Sequence, residues 1–101
     1  MTALEKTIVK AILARLNAMP NCRAKKHHGD MYGSAELDVY GCISGRAFFL
    51  EVKRPGGKPT KRQDAIIREW ESAGAMAGCV SSADEAEALV TSNGESNGVA
   101  L

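Results

Sequence analysis

Hydrophobic residues at the start of the chain fall on one side of a helix. Leu4, Ile8, Val9, Ile12, Leu13 and Leu16 recur at spacings of three and four, the period that lines one helical face. Thr2 predicts the N-cap, and Met19-Pro20-Asn21 predicts the stop. Residues 22–28 (CRAKKHH) predict a short polar strand, and residues 29–34 (GDMYGS) a loop. Residues 36–43 (ELDVYGCI) and 46–53 (RAFFLEVK) then alternate with period two and meet at Ser44-Gly45, which predicts a tight hairpin. Residues 54–60 (RPGGKPT) form an exposed basic loop. From Thr60 the helical period returns with Ile66, Trp70 and Ala73, ending at Gly74. Residues 76–81 (MAGCVS) predict a short apolar strand, and SADEAEALV a last helix capped by Ser81 or Ser82. The predicted order is α-β-β-β-α-β-α, an α/β (α+β) domain with a mixed sheet flanked by helices. One domain is expected over 1–92, with a polar, glycine-containing tail over 93–101.

Composition narrows the class. The chain has 101 residues, 45% hydrophobic and 25% charged, enough for one modest core that association with a partner would help to stabilise. No stretch approaches the ~20 uninterrupted apolar residues of a membrane helix. Glu5, Lys6 and Lys10 spoil a signal-peptide pattern at the N-terminus. The three cysteines, Cys22, Cys42 and Cys79, include no C-x-x-C pair. Reduced, partly buried thiols in a cytosolic protein are expected, with a Cys–His pair through His27 or His28 as the lesser alternative. Net charge is +1, but residues 1–62 hold 12 Lys and Arg against 5 Asp and Glu, whereas residues 63–101 hold 1 against 7. A basic front of +7 and an acidic back of −6 point to a polyanionic partner.

The candidate chemistry lies on the hairpin. Strand alternation sends Phe48, Leu50 and Val52 toward a core and Phe49, Glu51 and Lys53 to the other face. On the preceding strand Leu37 and Val39 share one face, and Glu36, Asp38 and Tyr40 the other. Asp38 and Glu51 converge if the register sets them side by side, since neighbouring strands lie ~4.8 Å apart. Two close carboxylates repel, and a cation relieves the repulsion. Oxygen ligands with open water positions suit Mg²⁺ or Mn²⁺. A lysine one alternation further on, Lys53, can steady negative charge on a phosphate. The plain alternative is an exposed hairpin face with ordinary charges.

Asp38 followed thirteen residues later by Glu51-Val52-Lys53 resembles the D…(D/E)-x-K signature of the PD-(D/E)XK nuclease superfamily. More narrowly, residues 33–63 resemble the virus-type replication–repair nuclease (VRR-NUC) domain. The shared features are Asp38 three residues before Gly41, Gly45-Arg46-Ala47-Phe48-Phe49 running into E-V-K, the basic Gly/Pro loop, and Gln63 opening the next helix. Leu37 stands where the family often carries proline. Glu36 is an alternative acid, but it lies five residues before Gly41 and misfits the pattern. The resemblance implies a restriction-endonuclease-like fold, catalytic roles for Asp38, Glu51, Lys53 and Gln63, and Mg²⁺ (or Mn²⁺) held by Glu5, Asp38, Glu51 and the Val52 main-chain carbonyl. It further implies a DNA endonuclease, similar to four-way (Holliday) junction resolvases that act as homodimers, of phage or prophage origin and working in a bacterial cytoplasm.

Two of those residues have a second job in prospect. Thr2-x-x-Glu5 and Thr60-x-x-Gln63 both spell a capping box, as does Ser82-x-x-Glu85. Lys25, Lys26 and His28, beside His27, form one basic cluster, and Arg54, Lys58, Lys61 and Arg62 a second. Both suit contact with DNA phosphates, although lysines on an edge strand also discourage aggregation. With five aromatic residues in all, stacking on single strands is not expected to carry recognition. The alternative to an enzyme is a non-catalytic nucleic-acid-binding module that uses the same basic loops.

Overall fold

A computed structural model of the chain describes residues 1–28 and 36–92. The loop expected over 29–34 and the tail expected over 93–101 lie outside the described residues. The elements run α1 (Ala3–Asn17), β1 (Cys22–Lys26), β2 (Val39–Ile43), β3 (Arg46–Val52), α2 (Lys61–Ser72), β4 (Met76–Val80) and α3 (Ala83–Ser92). The order is the one the hydrophobic pattern predicts, an α+β fold with a four-stranded mixed sheet. Its strands lie in the order β1-β2-β3-β4. β1, β2 and β3 are antiparallel neighbours, and β4 joins β3 in parallel after the crossover through α2.

The hairpin turn fixes the register on which the site depends. Ser44 and Gly45 have φ of 49° and 87°, the doubly positive pair of a two-residue turn whose twist matches the strands. Ile43 therefore faces Arg46, and each pair behind follows: Cys42 with Ala47, Gly41 with Phe48, Tyr40 with Phe49, Val39 with Leu50. Glycine is required at Gly41 because a Cβ there would strike the Arg23 carbonyl oxygen and the Phe48 ring.

The two faces of the sheet are covered unequally. Phe48, Leu50 and Val52 point into a core built with Val9, Ile12 and Leu16 of α1, Val39 of β2, and Ala86 and Val90 of α3. Each large side chain so buried contributes ~1.5–3 kcal/mol. On the opposite face Ile67, Leu37 and Ala77 form a smaller cluster, with Phe49, Ile66, Trp70 and Cys79 packed at its border. Phe49 and Trp70 stack there with centroids 3.7 Å apart. α2 packs on β3 and β4, while on the β1–β2 half of that face Arg23, Lys25, Tyr40 and Cys42 are exposed.

Four local expectations change. Leu4, part of the predicted apolar stripe, is 51% exposed, because it lies in the first turn of α1, beyond the sheet that Val9, Ile12 and Leu16 cover. Leu37 and Val39 do not share a face. Val39 joins the large core and Leu37 the small one, because β2 begins only at Val39 after a bend at Asp38 and alternation does not run back through it. Ala73 is the exposed C-cap of α2, and Ile67 takes the buried position. The third capping box is half formed: Ser82 Oγ accepts from the Glu85 amide at 3.0 Å, but the Glu85 carboxylate takes the Ser81 amide and hydroxyl at 2.7 and 2.9 Å.

Candidate active site

Asp38 sits just before β2, and the hairpin register carries it to Glu51. Its Oδ2 accepts the Val52 backbone N–H at 2.9 Å, and its own carbonyl accepts the His27 N–H at 2.8 Å. The side chain thus takes a ladder position at the mouth of the hairpin, which anchors the carboxylate beside Glu51. Lys53 is held by its amide, which continues the parallel ladder to the Val80 carbonyl at 3.0 Å. Its Nζ lies 3.6 Å from Glu51 Oε2. The structure therefore brings Asp38, Glu51 and Lys53 to one place.

Glu51 is the electrostatic centre of the group. It is only 4% exposed, on β3 between β2 and β4. Burial first, then the negative charge of Asp38 and a hydrogen bond with it, push its pKa up to about 8 against the downward pull of Lys53. One lysine does not offset the loss of water and a second acid. Such a carboxylate pair has a place for more positive charge, so the donor set fits a hard divalent cation. Asp38, Glu51 and the Val52 carbonyl supply oxygen ligands, and Mg²⁺ needs only one or two carboxylates with the remainder water. Among the described residues no three His, Cys, Asp or Glu side chains come close enough to form a metal site by themselves.

Glu5 approaches from the first turn of α1. It completes a capping box with Thr2, both bonds being 3.1 Å. Its pKa is lowered, chiefly by the Thr2 amide, with smaller contributions from the Arg54 backbone amide and the Lys53 ammonium. The carboxylate therefore caps its helix while facing Lys53 and Arg54 at the end of β3. Gln63 completes the box at α2, its Oε1 accepting the Thr60 amide at 2.9 Å, and makes no hydrogen bond with Asp38, Glu51 or Lys53.

The basic residues fall into two groups. Arg54, Lys58, Lys61 and Arg62 are exposed on the loop and first turn that follow Lys53. Lys25, Lys26 and His28 lie on and just after β1 and line a groove of about 800 Å³.

Sequence reasoning missed three neighbours. Cys79 lies directly across from Glu51 on β4, and burial followed by the Glu51 charge raises its thiol pKa. Parallel pairing through a crossover helix left no local signal for that contact. Arg23 and Tyr40 line the same groove as the lysines. Alternation had placed Tyr40 on the Asp38 face, but only the bare β1–β2 sheet explains why it stays open. The cysteines are free thiols; Cys22 and Cys79 are half-buried and Cys42 is exposed.

A solved structure described as a VRR_NUC domain superposes on the chain with a TM-score of 0.73, covering 90% of this chain and 98% of that one. The chain has the VRR_NUC fold. At 22% identity, the likeness reaches the architecture, since one fold can host many functions. No protein-family model matches the sequence, and no curated protein matches it. On this VRR_NUC framework the acidic pair lies where an antiparallel hairpin meets a parallel strand. No helix among the described residues is long and apolar enough to cross a membrane.

Proposed function

We propose that the chain is a metal-dependent nuclease that hydrolyses DNA phosphodiester bonds. The observation that carries this is the convergence of Asp38, a buried Glu51 and Lys53 on the described VRR_NUC fold, next to a strongly basic surface. Asp38, Glu51 and the Val52 main-chain carbonyl would hold Mg²⁺ or Mn²⁺; Glu5 does not come close enough to be a third acidic ligand in this structure, and would act on the ion from α1 through a bound water. A bound ion of this kind neutralises phosphate charge and lowers the pKa of its water. Lys53 orients the attacking water and steadies the charge that builds on the phosphate oxygens. The water oxygen bonds to phosphorus as the bond to the departing sugar oxygen breaks; the water loses a proton and the departing oxygen gains one. Gln63 supports the same centre from the start of α2.

Lys25, Lys26 and His28 on one side, and Arg54, Lys58, Lys61 and Arg62 on the other, contact backbone phosphates flanking the scissile bond. We further propose a branched substrate, a four-way junction, cut by a homodimer. A junction needs two symmetric incisions, and one chain offers one acidic centre.

The test is cleavage of a synthetic four-way junction, a flap and a plain duplex with Mg²⁺, Mn²⁺ or EDTA. Metal-dependent cutting, strongest on the junction, is expected. Lys53→Ala should abolish it while binding stays within a few-fold. Binding without cleavage of any substrate in either metal would leave a non-catalytic binding module and overturn the proposal. Gel filtration and sedimentation address the dimer: a monomer at working concentration removes the paired-incision scheme.

A further inference from the structure

β1 is the outer strand of the sheet, and the groove along it differs from the basic loop after Lys53. Arg23, Lys25, Lys26 and His28 line it together with Tyr40, and among the described residues no acidic side chain does. None of the four basic residues forms an ion pair among the described residues, unlike Arg15, which holds Asp84 and Glu87, or Arg68, which holds Asp64. Tyr40 is 40% exposed and lies directly opposite Lys25 in the register. His27 stands edge-on to the Tyr40 ring, with ring centroids 6.5 Å apart. Tyr40 pairs with Phe49, which lies two residues from Glu51 on the same face of β3, about 7 Å along that strand, so the ring stands on the side of the sheet that carries Glu51.

One occupant is already excluded by the edge itself. The Asn17 side chain accepts the Ala24 N–H at 2.8 Å and donates to the Ala24 carbonyl at 3.0 Å. Its amide makes the bonds that a neighbouring strand would make, so a peptide cannot extend the sheet at that point. The cations call for an anionic polymer instead. A duplex presents phosphates and keeps its bases stacked inside, which would leave an exposed ring among cations without a partner. Cationic residues interleaved with an aromatic ring are the combination that binds unpaired nucleotides.

We propose that this groove holds a short unpaired stretch of DNA adjoining the cleaved phosphodiester, its phosphates on Arg23, Lys25 and Lys26 and one base stacked on Tyr40. This rests on the nuclease reading for the identity of the ligand, and it makes strand opening beside the cut the feature that selects a substrate. The aromatic count of the whole chain argued against stacking, but one ring placed among cations is sufficient for one base.

The test is fluorescence anisotropy in EDTA, where no cutting occurs, with a labelled blunt duplex and the same duplex bearing a short single-stranded tail. Wild type should bind the tailed DNA more tightly. Tyr40→Ala should lower affinity for it about tenfold and bring the tailed-to-blunt ratio close to one. Tyr40→Phe should keep the preference, since the ring is what stacks. Lys25→Ala should weaken both DNAs and flatten the salt dependence. Circular dichroism melts show that each variant is folded. A tail preference that survives Tyr40→Ala, or equal wild-type affinity for the two DNAs, overturns the proposal. Because no cleavage is read, the two ideas fail separately. Tail binding through Tyr40 without cutting in metal removes the nuclease and keeps the groove; cutting without a tail preference does the reverse.

Discussion

Replacing Glu51 by glutamine should stabilise the metal-free protein, increasingly so as pH rises. The side chain is almost wholly buried, and its pKa stands at about 8 against an ordinary 4.5. Between those values the folded state keeps a proton that the unfolded state has released. Stability is therefore full below pH 4.5 and falls as pH climbs through the window toward 8. The gap of about 3.5 pH units, at 1.36 kcal/mol each, makes the fall about 5 kcal/mol above pH 8 and about 3 kcal/mol at pH 7. That is a large share of the ~5–15 kcal/mol that holds a domain folded. A glutamine side chain has no proton to lose and keeps the size and shape of the acid. Urea unfolding in EDTA at pH 5, 6, 7 and 8 should give a variant-minus-wild-type difference that grows by up to ~1.4 kcal/mol per pH unit. Taking the difference cancels the other titrating groups. Added Mg²⁺ should recover the loss in wild type at pH 8 and do little for the variant. A difference that stays flat from pH 5 to 8 would refute the reasoning, because Glu51 would then not be short of solvation. A difference of opposite sign would mean that Lys53, at 3.6 Å, outweighs burial and Asp38 together.

Asp38→Asn keeps an acceptor for the Val52 N–H but removes the neighbouring negative charge; the Glu51 pKa should drop from about 8 toward its ordinary range, read by carbon NMR of the carboxyl, and no movement would show that the two acids do not interact. Phe48→Ala empties the largest fully buried side chain and should cost ~3–5 kcal/mol in urea unfolding; a loss below about 1 kcal/mol would mean the ring is not packed as described. Gly41→Ala pushes a methyl group against the Arg23 carbonyl and Phe48 ring and should cost at least ~1–3 kcal/mol, measured by thermal melting, with an unchanged Tm as the refuting result. If five or six cations meet phosphates, the log–log salt slope of duplex binding should be about −5; a slope near zero would free those residues from any role in binding.

Much of this architecture was legible because it follows from local periodicity and turn chemistry. Alternation in RAFFLEV and the helical spacing of Val9, Ile12 and Leu16 each report which side of an element is dry, and each predicted a buried face that the structure contains. The misplaced residues sit where an element has just begun or stopped. Leu4 lies in the first turn of α1, and Leu37 precedes a bend, so periodicity had nothing to extend. Contacts between distant segments left a weaker trace. Nothing in the spacing of Asn17 and Ala24 announces an amide closing a sheet edge, and Cys79 meets Glu51 only because a crossover returns β4 in parallel.

The acidic pair is an intermediate case, and its logic is arithmetic. Asp38 lies five residues before Ile43, the last position ahead of the turn, and Glu51 lies five residues after Arg46, the first position past it. With a two-residue turn, equal arms bring Asp38, at the bend just beyond the last pair of Val39 with Leu50, to the level of Glu51. Gly45 and Ser44 both adopt positive φ, so the turn chemistry that any hairpin would use also sets how near the two acids come. A slip of one residue in that register would send Glu51 to the opposite face and away from Asp38. The large core would feel the same slip, since Val39, Leu50 and Phe48 share the register. Fold and site are thus specified by one set of pairings. The burial of Phe48 and Leu50 stabilises the register, and the register holds Glu51 beside Asp38 despite the electrostatic cost of their proximity.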